Sequence, residues 1–204
     1  MKKLIFGLLA TAALLFGAGS ANAAPIFFED FNGETLGLGV STLAQFSVVG
    51  DFDVIGFGFI DLYPGNGNYL DLDGSGGPSA TITTMMSFAP GTYVLEFDIG
   101  SNGGPNSMLV TLGTYSETFT RTGSVSPLEN ISRTITLTSA STLSFKETTG
   151  PDTAGIILDN VSLSEAPPVR DASAVPEPAS MSLLALGAAG MLGFRLRRRN
   201  KVVS

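Results

Sequence analysis

The chain has 204 residues, 18 of them acidic and 11 basic, with a formal net charge of −7 and neither cysteine, histidine nor tryptophan. Disulfides, thiol chemistry, the commonest general base and the commonest transition-metal ligand are thereby excluded. Positive charge is concentrated at the two ends: between Ala24 and Ala174 only Arg121, Arg133, Lys146 and Arg170 face seventeen acids, a net of −13 that disfavours nucleic acid and suits divalent cations.

In chain order, Met1-Lys2-Lys3 is a positive n-region, Leu4 to Phe16 an apolar run, and Ala21-Asn22-Ala23 a small-residue cleavage signal. Residues 1–23 read as a secretory signal peptide, which implies the Sec translocon and signal peptidase as partners and Ala24 as the mature N-terminus. Residues 24–166 then form a body rich in Gly, Thr, Ser and aromatics, the size of one ordinary domain.

Within that body, alternation returns every eight to twelve residues. Thr92 to Ile99 is the clearest case, with Tyr93, Leu95, Phe97 and Ile99 on one face and Thr92, Val94, Glu96 and Asp98 on the other. Comparable runs are predicted at 26–31, 46–49, 52–55, 59–63, 69–72, 80–88, 107–112, 116–120, 131–138, 142–146 and 156–163. Breakers separate them, among them Pro64-Gly65-Asn66-Gly67, Gly74 to Pro78, Pro90-Gly91 and Asn102 to Pro105. Many short strands with no substantial helix predict two packed antiparallel sheets.

Several acids in these runs bear on chemistry. Glu29 shares parity with Phe27 and Phe31, and Asp159 with Val161 and Leu163, so both point along otherwise apolar faces. Buried carboxylates require a partner, arginine is scarce, and a structural calcium ion between the two is the expected solution. The competing reading places one or both at a strand end facing water. Asp71-Leu72-Asp73-Gly74-Ser75-Gly76 matches the start of a calcium loop, but Ile82 stands where that loop needs a bidentate Glu, and a strand end with a Gly-rich turn fits better.

Phe57, Phe59, Tyr63, Tyr69 and Tyr115 are the candidate aromatic contacts for a ligand. Tyr63 and Tyr69 are preferred because they flank a Pro-Gly-Asn-Gly-Asn turn with polar tips suited to hydroxyl recognition. Carboxylate pairs such as Asp51 with Asp53 or Asp61 with Asp71 are too weakly placed by spacing to argue for a glycosidase, and the chain is read as a non-enzyme.

Phe27 to Phe31, Tyr69 to Gly74, Gly91 to Phe97 and Leu158 to Leu163 together resemble stretches of the galactose-binding-like jelly rolls, a group containing many carbohydrate-binding modules. The resemblance implies an antiparallel jelly-roll β-sandwich, raises carbohydrate as a ligand class, and places a structural calcium between first and last strands.

Residues 167–175 form a Pro-rich linker. Beyond it, Pro176-Glu177-Pro178 precedes Ala179 to Phe194, 16 residues without a charge. That run is slightly short of the roughly 20 residues a membrane-spanning helix needs. Arg195, Arg197, Arg198, Arg199 and Lys201 follow and favour the cytoplasmic side, with snorkelling side chains extending the reach of a short helix. The competing reading is a packed helix of a soluble domain.

Val175 to Ser180, the apolar run and the basic cluster resemble the PEP-CTERM sorting signal of Gram-negative bacteria, over residues 176–201. In that family a membrane protease-transpeptidase, exosortase, reads the tail, so the resemblance implies a transient inner-membrane helix at 179–194 and final delivery to the cell surface or matrix. The expected function is a structural or adhesive sandwich associated with exopolysaccharide; the alternative is a lectin-like module with a defined sugar site.

Overall fold

A computed structural model describes residues 24–123, 127–150 and 152–168. All but Pro168 lie in the first of two compact units, Met1–Pro167. The expected signal peptide at 1–23, sorting residues Pro176, Glu177 and Pro178, helix 179–194 and basic cluster Arg195, Arg197, Arg198 and Arg199 lie outside the described residues. Among the described residues no helix is long and apolar enough to cross a membrane.

The described chain is all β. Its strands are β1 (Phe27–Glu29), β2 (Gly37–Val40), β3 (Phe46–Val49), β4 (Phe52–Gly56), β5 (Asn68–Asp71), β6 (Thr81–Thr84), β7 (Gly91–Ser101), β8 (Asn106–Leu112), β9 (Tyr115–Arg121), β10 (Glu129–Leu137), β11 (Leu143–Glu147) and β12 (Ile156–Glu165). They form two antiparallel sheets of a jelly-roll β-sandwich. One has seven strands, in the order β10-β7-β12-β5-β4-β2 with β1 added beside β12; the other runs β3-β6-β11-β8-β9.

Alternation explains the packing. In β7, Tyr93, Leu95, Phe97 and Ile99 enter the shared core, as do Met108, Val110 and Leu112 of β8 from the opposite sheet. Phe97 sits at the centre, edge-on to Phe119 at 5.3 Å and to Phe145 at 5.4 Å between ring centroids. Such T-shaped pairs add to the apolar area they bury, because ring edges meet ring faces of opposite partial charge.

One sequence expectation fails locally, and one strand forms where none was expected. Residues 59–63 do not make a strand; Gly56 and Phe59 exchange backbone hydrogen bonds of 2.9 Å, and the segment turns back over the sheet. Conversely, Gly37–Val40 pairs with β4 although Gly-Leu-Gly-Val shows no usable alternation.

The last strand organises the seven-stranded sheet. β12 pairs with β7 along most of its length, with β5 at Ile157 and Leu158, and with β1 from Val161 to Leu163. Between these two halves lies a bulge, with Asn160 at φ 49°. Asparagine tolerates that left-handed backbone better than most residues.

Candidate functional site on the seven-stranded sheet

The bulge decides which way β12 presents its polar groups. Ile156 and Leu158 enter the main core while Ile157 joins a separate cluster with Ile55, Tyr63 and Tyr69 on the outer face. Asp159 continues the parity of Ile157; after the extra residue, Val161 and Leu163 return to the core. Asp159 therefore faces away from Val161 and Leu163, contrary to the parity read from sequence.

Its neighbours follow from that orientation. Asp159 is register partner of Asp98 on β7, and Asn160 Nδ2 donates to Asp98 Oδ2 at 2.9 Å and to Asp159 Oδ2 at 3.2 Å. Asn130 Nδ2 donates to Asp98 Oδ1 at 2.8 Å. Burial pushes the Asp159 carboxyl up to about 7, with Asp98 and Asp30 adding to the rise and the Asn160 backbone N–H, which donates to Asp159 Oδ1 at 2.7 Å, opposing it.

Glu29 keeps the parity of Phe27 and has its own partners: Oε1 accepts from Phe31 N at 2.8 Å and Oε2 from Gln45 Nε2 at 2.7 Å. The fold thus places Glu29 and Asp159 on opposite faces of the sheet, each with local donors, and does not bring them together as one calcium site. No group of three or more acidic side chains converges on a metal position among the described residues.

Tyr63 and Tyr69 are placed just as differently from expectation. They are 3% and 0% exposed, so neither ring is open to a ligand. Tyr69 Oη accepts from Leu62 N at 2.6 Å and Tyr63 N at 2.9 Å and donates to Asp61 Oδ1 at 3.2 Å; burial raises its ionisation to about 12. Tyr63 Oη donates to Ser101 O and accepts from Ser101 N, both at 2.8 Å. Gly100 makes this possible, since a Cβ there would stand 2.5 Å from the Tyr63 ring. The turn is a cover sewn to the sheet by its own tyrosines.

What stays open on this face is a groove of about 300 Å³ beyond the polar cluster, lined in part by Phe28, Val94, Glu96, Ser162, Ser164 and Glu165. Phe28 is 50% exposed, and Phe57 on the covering loop is 80% exposed. Phe57 was among the sequence candidates. Phe28 was missed, although strand parity against buried Phe27 points its ring outward. The groove therefore offers an apolar face beside hydroxyls and carboxylates.

Three further buried acids, Asp71, Asp73 and Asp53, serve mainly the backbone. Asp71 accepts from Asp73 N, Gly155 N and Asn102 Nδ2, and Asp73 from Ser79 Oγ, Asp152 N and Thr153 N. Asp53 accepts from Gly39 N, Ser75 N and Ser75 Oγ. Burial raises Asp71 to about 7 despite its donors. The Asp71 to Gly76 segment is thus a strand end and turn pinned by carboxylates.

Residues 174–199 match the family model of the PEP-CTERM protein-sorting motif, so the chain carries a tail that implies export and processing by exosortase. No curated protein matches the chain. Among solved structures, it is similar to an arabinose-bound α-L-arabinofuranosidase at 16% identity and TM-score 0.49, over 72% of this chain and 27% of that one. The chain thus spans only about a quarter of that enzyme's length. It is similar to the K3 cleaved adhesin domain of Lys-gingipain from Porphyromonas gingivalis at 15% identity and TM-score 0.48, over 70% of this chain and 100% of that one. The carbohydrate-binding module CBM36, solved with calcium and xylotriose, aligns at 15% identity and TM-score 0.41, over 68% of this chain and 100% of that one.

Proposed function

We propose that this is an exported, non-enzymatic β-sandwich that exosortase releases from the inner membrane to the cell surface or extracellular matrix, where it acts by adhesion in association with exopolysaccharide. The sorting motif at 174–199 carries the reading. The domain supports it with the groove beside Phe28: sugar recognition combines an apolar ring face with a few placed hydrogen-bonding groups, and Glu96, Ser162, Ser164 and Glu165 supply those. A strongly acidic surface suits a neutral polymer better than an anionic one.

Two experiments test the reading at its two ends. Replacing Pro176, Glu177 and Pro178 together by alanine leaves a longer, membrane-held precursor on immunoblots of the native host; unchanged processing sinks the exosortase assignment. On a glycan array, the exported protein binds polysaccharide and loses that binding on Phe28→Ala with its melting temperature retained. A single preferred oligosaccharide would favour the lectin-like alternative, and turnover of a glycan would overturn the non-enzymatic reading.

A further inference from the structure

Seven acids are buried among the described residues: Glu29, Asp51, Asp53, Asp71, Asp73, Glu147 and Asp159. Six have donors. Glu147, the one not yet described, accepts from Thr149 N at 3.0 Å and Ile156 N at 2.9 Å. Asp51 is the exception: it is 8% exposed, and its Oδ1 is buried without a hydrogen-bond partner. A buried carboxyl oxygen left without a hydrogen-bond partner is an unfavourable placement, so such a group points to a ligand.

The surroundings of Asp51 are made of peptide backbone. A Cβ on Gly74 would lie 2.6 Å from Asp51 Oδ1, one on Gly76 2.5 Å from Oδ2, one on Gly39 3.4 Å from Oδ2, and one on Gly77 3.5 Å from Cγ. Gly74 and Gly76 therefore let main chain close around this carboxylate where a Cβ would collide with it, while Cβ atoms on Gly39 and Gly77 would only touch it. Two of their amides are committed elsewhere, Gly39 N to Asp53 Oδ1 at 2.7 Å and Gly74 N to the main-chain oxygen of Asp51 at 3.3 Å.

Among the described residues no basic side chain forms an ion pair with Asp51. The ion pairs among the described residues join Arg121 to Glu129 and Arg133 to Glu117. The cradle is also held in place independently of Asp51, because Asp53 ties Gly39 and Ser75 to β4 and Asp51 N donates to Pro78 O at 2.9 Å.

We propose that the Asp51 carboxylate, with peptide carbonyls of the segments around Gly39 and Gly74 to Gly77 and with water, binds a hard divalent cation of the calcium class. Carboxylate, carbonyl and water oxygens in an irregular shell are what calcium takes, whereas magnesium demands a tight octahedron and keeps its waters. With one charged ligand the affinity belongs to the range of about 10⁻⁴–10⁻³ M found for extracellular modules. The Asp71 to Gly76 run contributes its glycine backbone to this site and keeps Asp71 and Asp73 for amides. The inference is independent of the glycan reading, since it rests on the loop end of the sheet and not on the groove.

The test uses the full chain in mild detergent, with calcium chloride as the probe against a chelator. At ten to a hundred times the dissociation constant, calcium raises the melting temperature by roughly 5 °C, and Asp51→Asn abolishes that rise while melting no lower than wild type in chelator. Glu29→Gln and Asp159→Asn keep it. No calcium effect on wild type, or a rise retained by Asp51→Asn, overturns the proposal. Should Asp51→Asn fail to fold, a lanthanide-soaked crystal of the wild-type protein decides: an anomalous peak in bonding range of Asp51 Oδ1 supports the site, and its absence there overturns it.

Discussion

The outer face of the five-stranded sheet is a field of hydroxyls, whereas that of the seven-stranded sheet gathers carboxylates, amides and a covering loop. On the first, Ser47, Thr83, Ser144, Thr111 and Ser116 are register neighbours across all five strands. Thr83 Oγ1 donates to Ser144 Oγ at 3.0 Å, and Ser107 and Thr120 share a hydrogen bond of 2.8 Å. On the second, Asp53 and Asp71 face each other across β4 and β5, and Asp98 faces Asp159 across β7 and β12. Both faces obey the same alternation. Hydroxyls satisfy one another at the surface without burying charge, while buried carboxylates need amides, protons or cations, so the second face alone depends on solution conditions.

The largest test of that contrast strikes the cover. Tyr63→Ala removes a buried ring and both hydrogen bonds to Ser101, with an expected loss of about 3–5 kcal/mol by urea unfolding. Thr83→Ala, at the centre of the hydroxyl row, stays within about 0.5 kcal/mol of wild type. If the two losses were similar, the faces would not differ in the way described.

Next in size is pH. Asp71 and Asp159 titrate near 7 in the folded protein against an ordinary value of 3.8. Their folded forms hold protons that the unfolded chain has already released, so the stability they give is complete below about pH 3.8 and lost as pH rises through 7. Urea midpoints therefore rise from pH 8 to pH 5, by a few kcal/mol in stability. Glu117 acts oppositely, because its hydrogen bonds from Arg133 hold it down at about 2, so its contribution fades as pH falls from 4.5 towards 2. Together the three groups place the optimum at about pH 4, where the two Asp gains are nearly complete and the Glu117 loss has begun. Asp71→Asn with Asp159→Asn flattens the alkaline limb; an unchanged limb would contradict the assignment.

The smaller effect is Tyr69→Phe, which keeps the ring and strands the Leu62 and Tyr63 amides without their acceptor. The expected cost is about 1–3 kcal/mol. Amide exchange at those two positions accelerates in the variant while exchange along β8 and β11 does not.

Much of the sandwich was legible because alternation is a local property. β7, β8 and the core half of β12 follow from residue parity alone. The sites were less so, for reasons that particular residues make plain. Asp159 was misassigned because one left-handed residue, Asn160, inserts a step that sequence parity does not count. Tyr63 and Tyr69 flank a turn that reads as surface, and only the missing side chain of Gly100, more than thirty residues away, makes room for Tyr63. Asp51 was legible only as half of a carboxylate pair with Asp53, because the glycines around it come from segments on both sides of it in the chain.

β12 is both the last strand of the domain and an interior one, pairing with β1, β5 and β7. A chain crossing a membrane from its N-terminus cannot complete the seven-stranded sheet until that strand has emerged. It ends at Glu165, and the sorting motif begins at residue 174. A truncation anywhere before the end of β12 therefore removes both the strand that closes the seven-stranded sheet and the sorting motif that follows it.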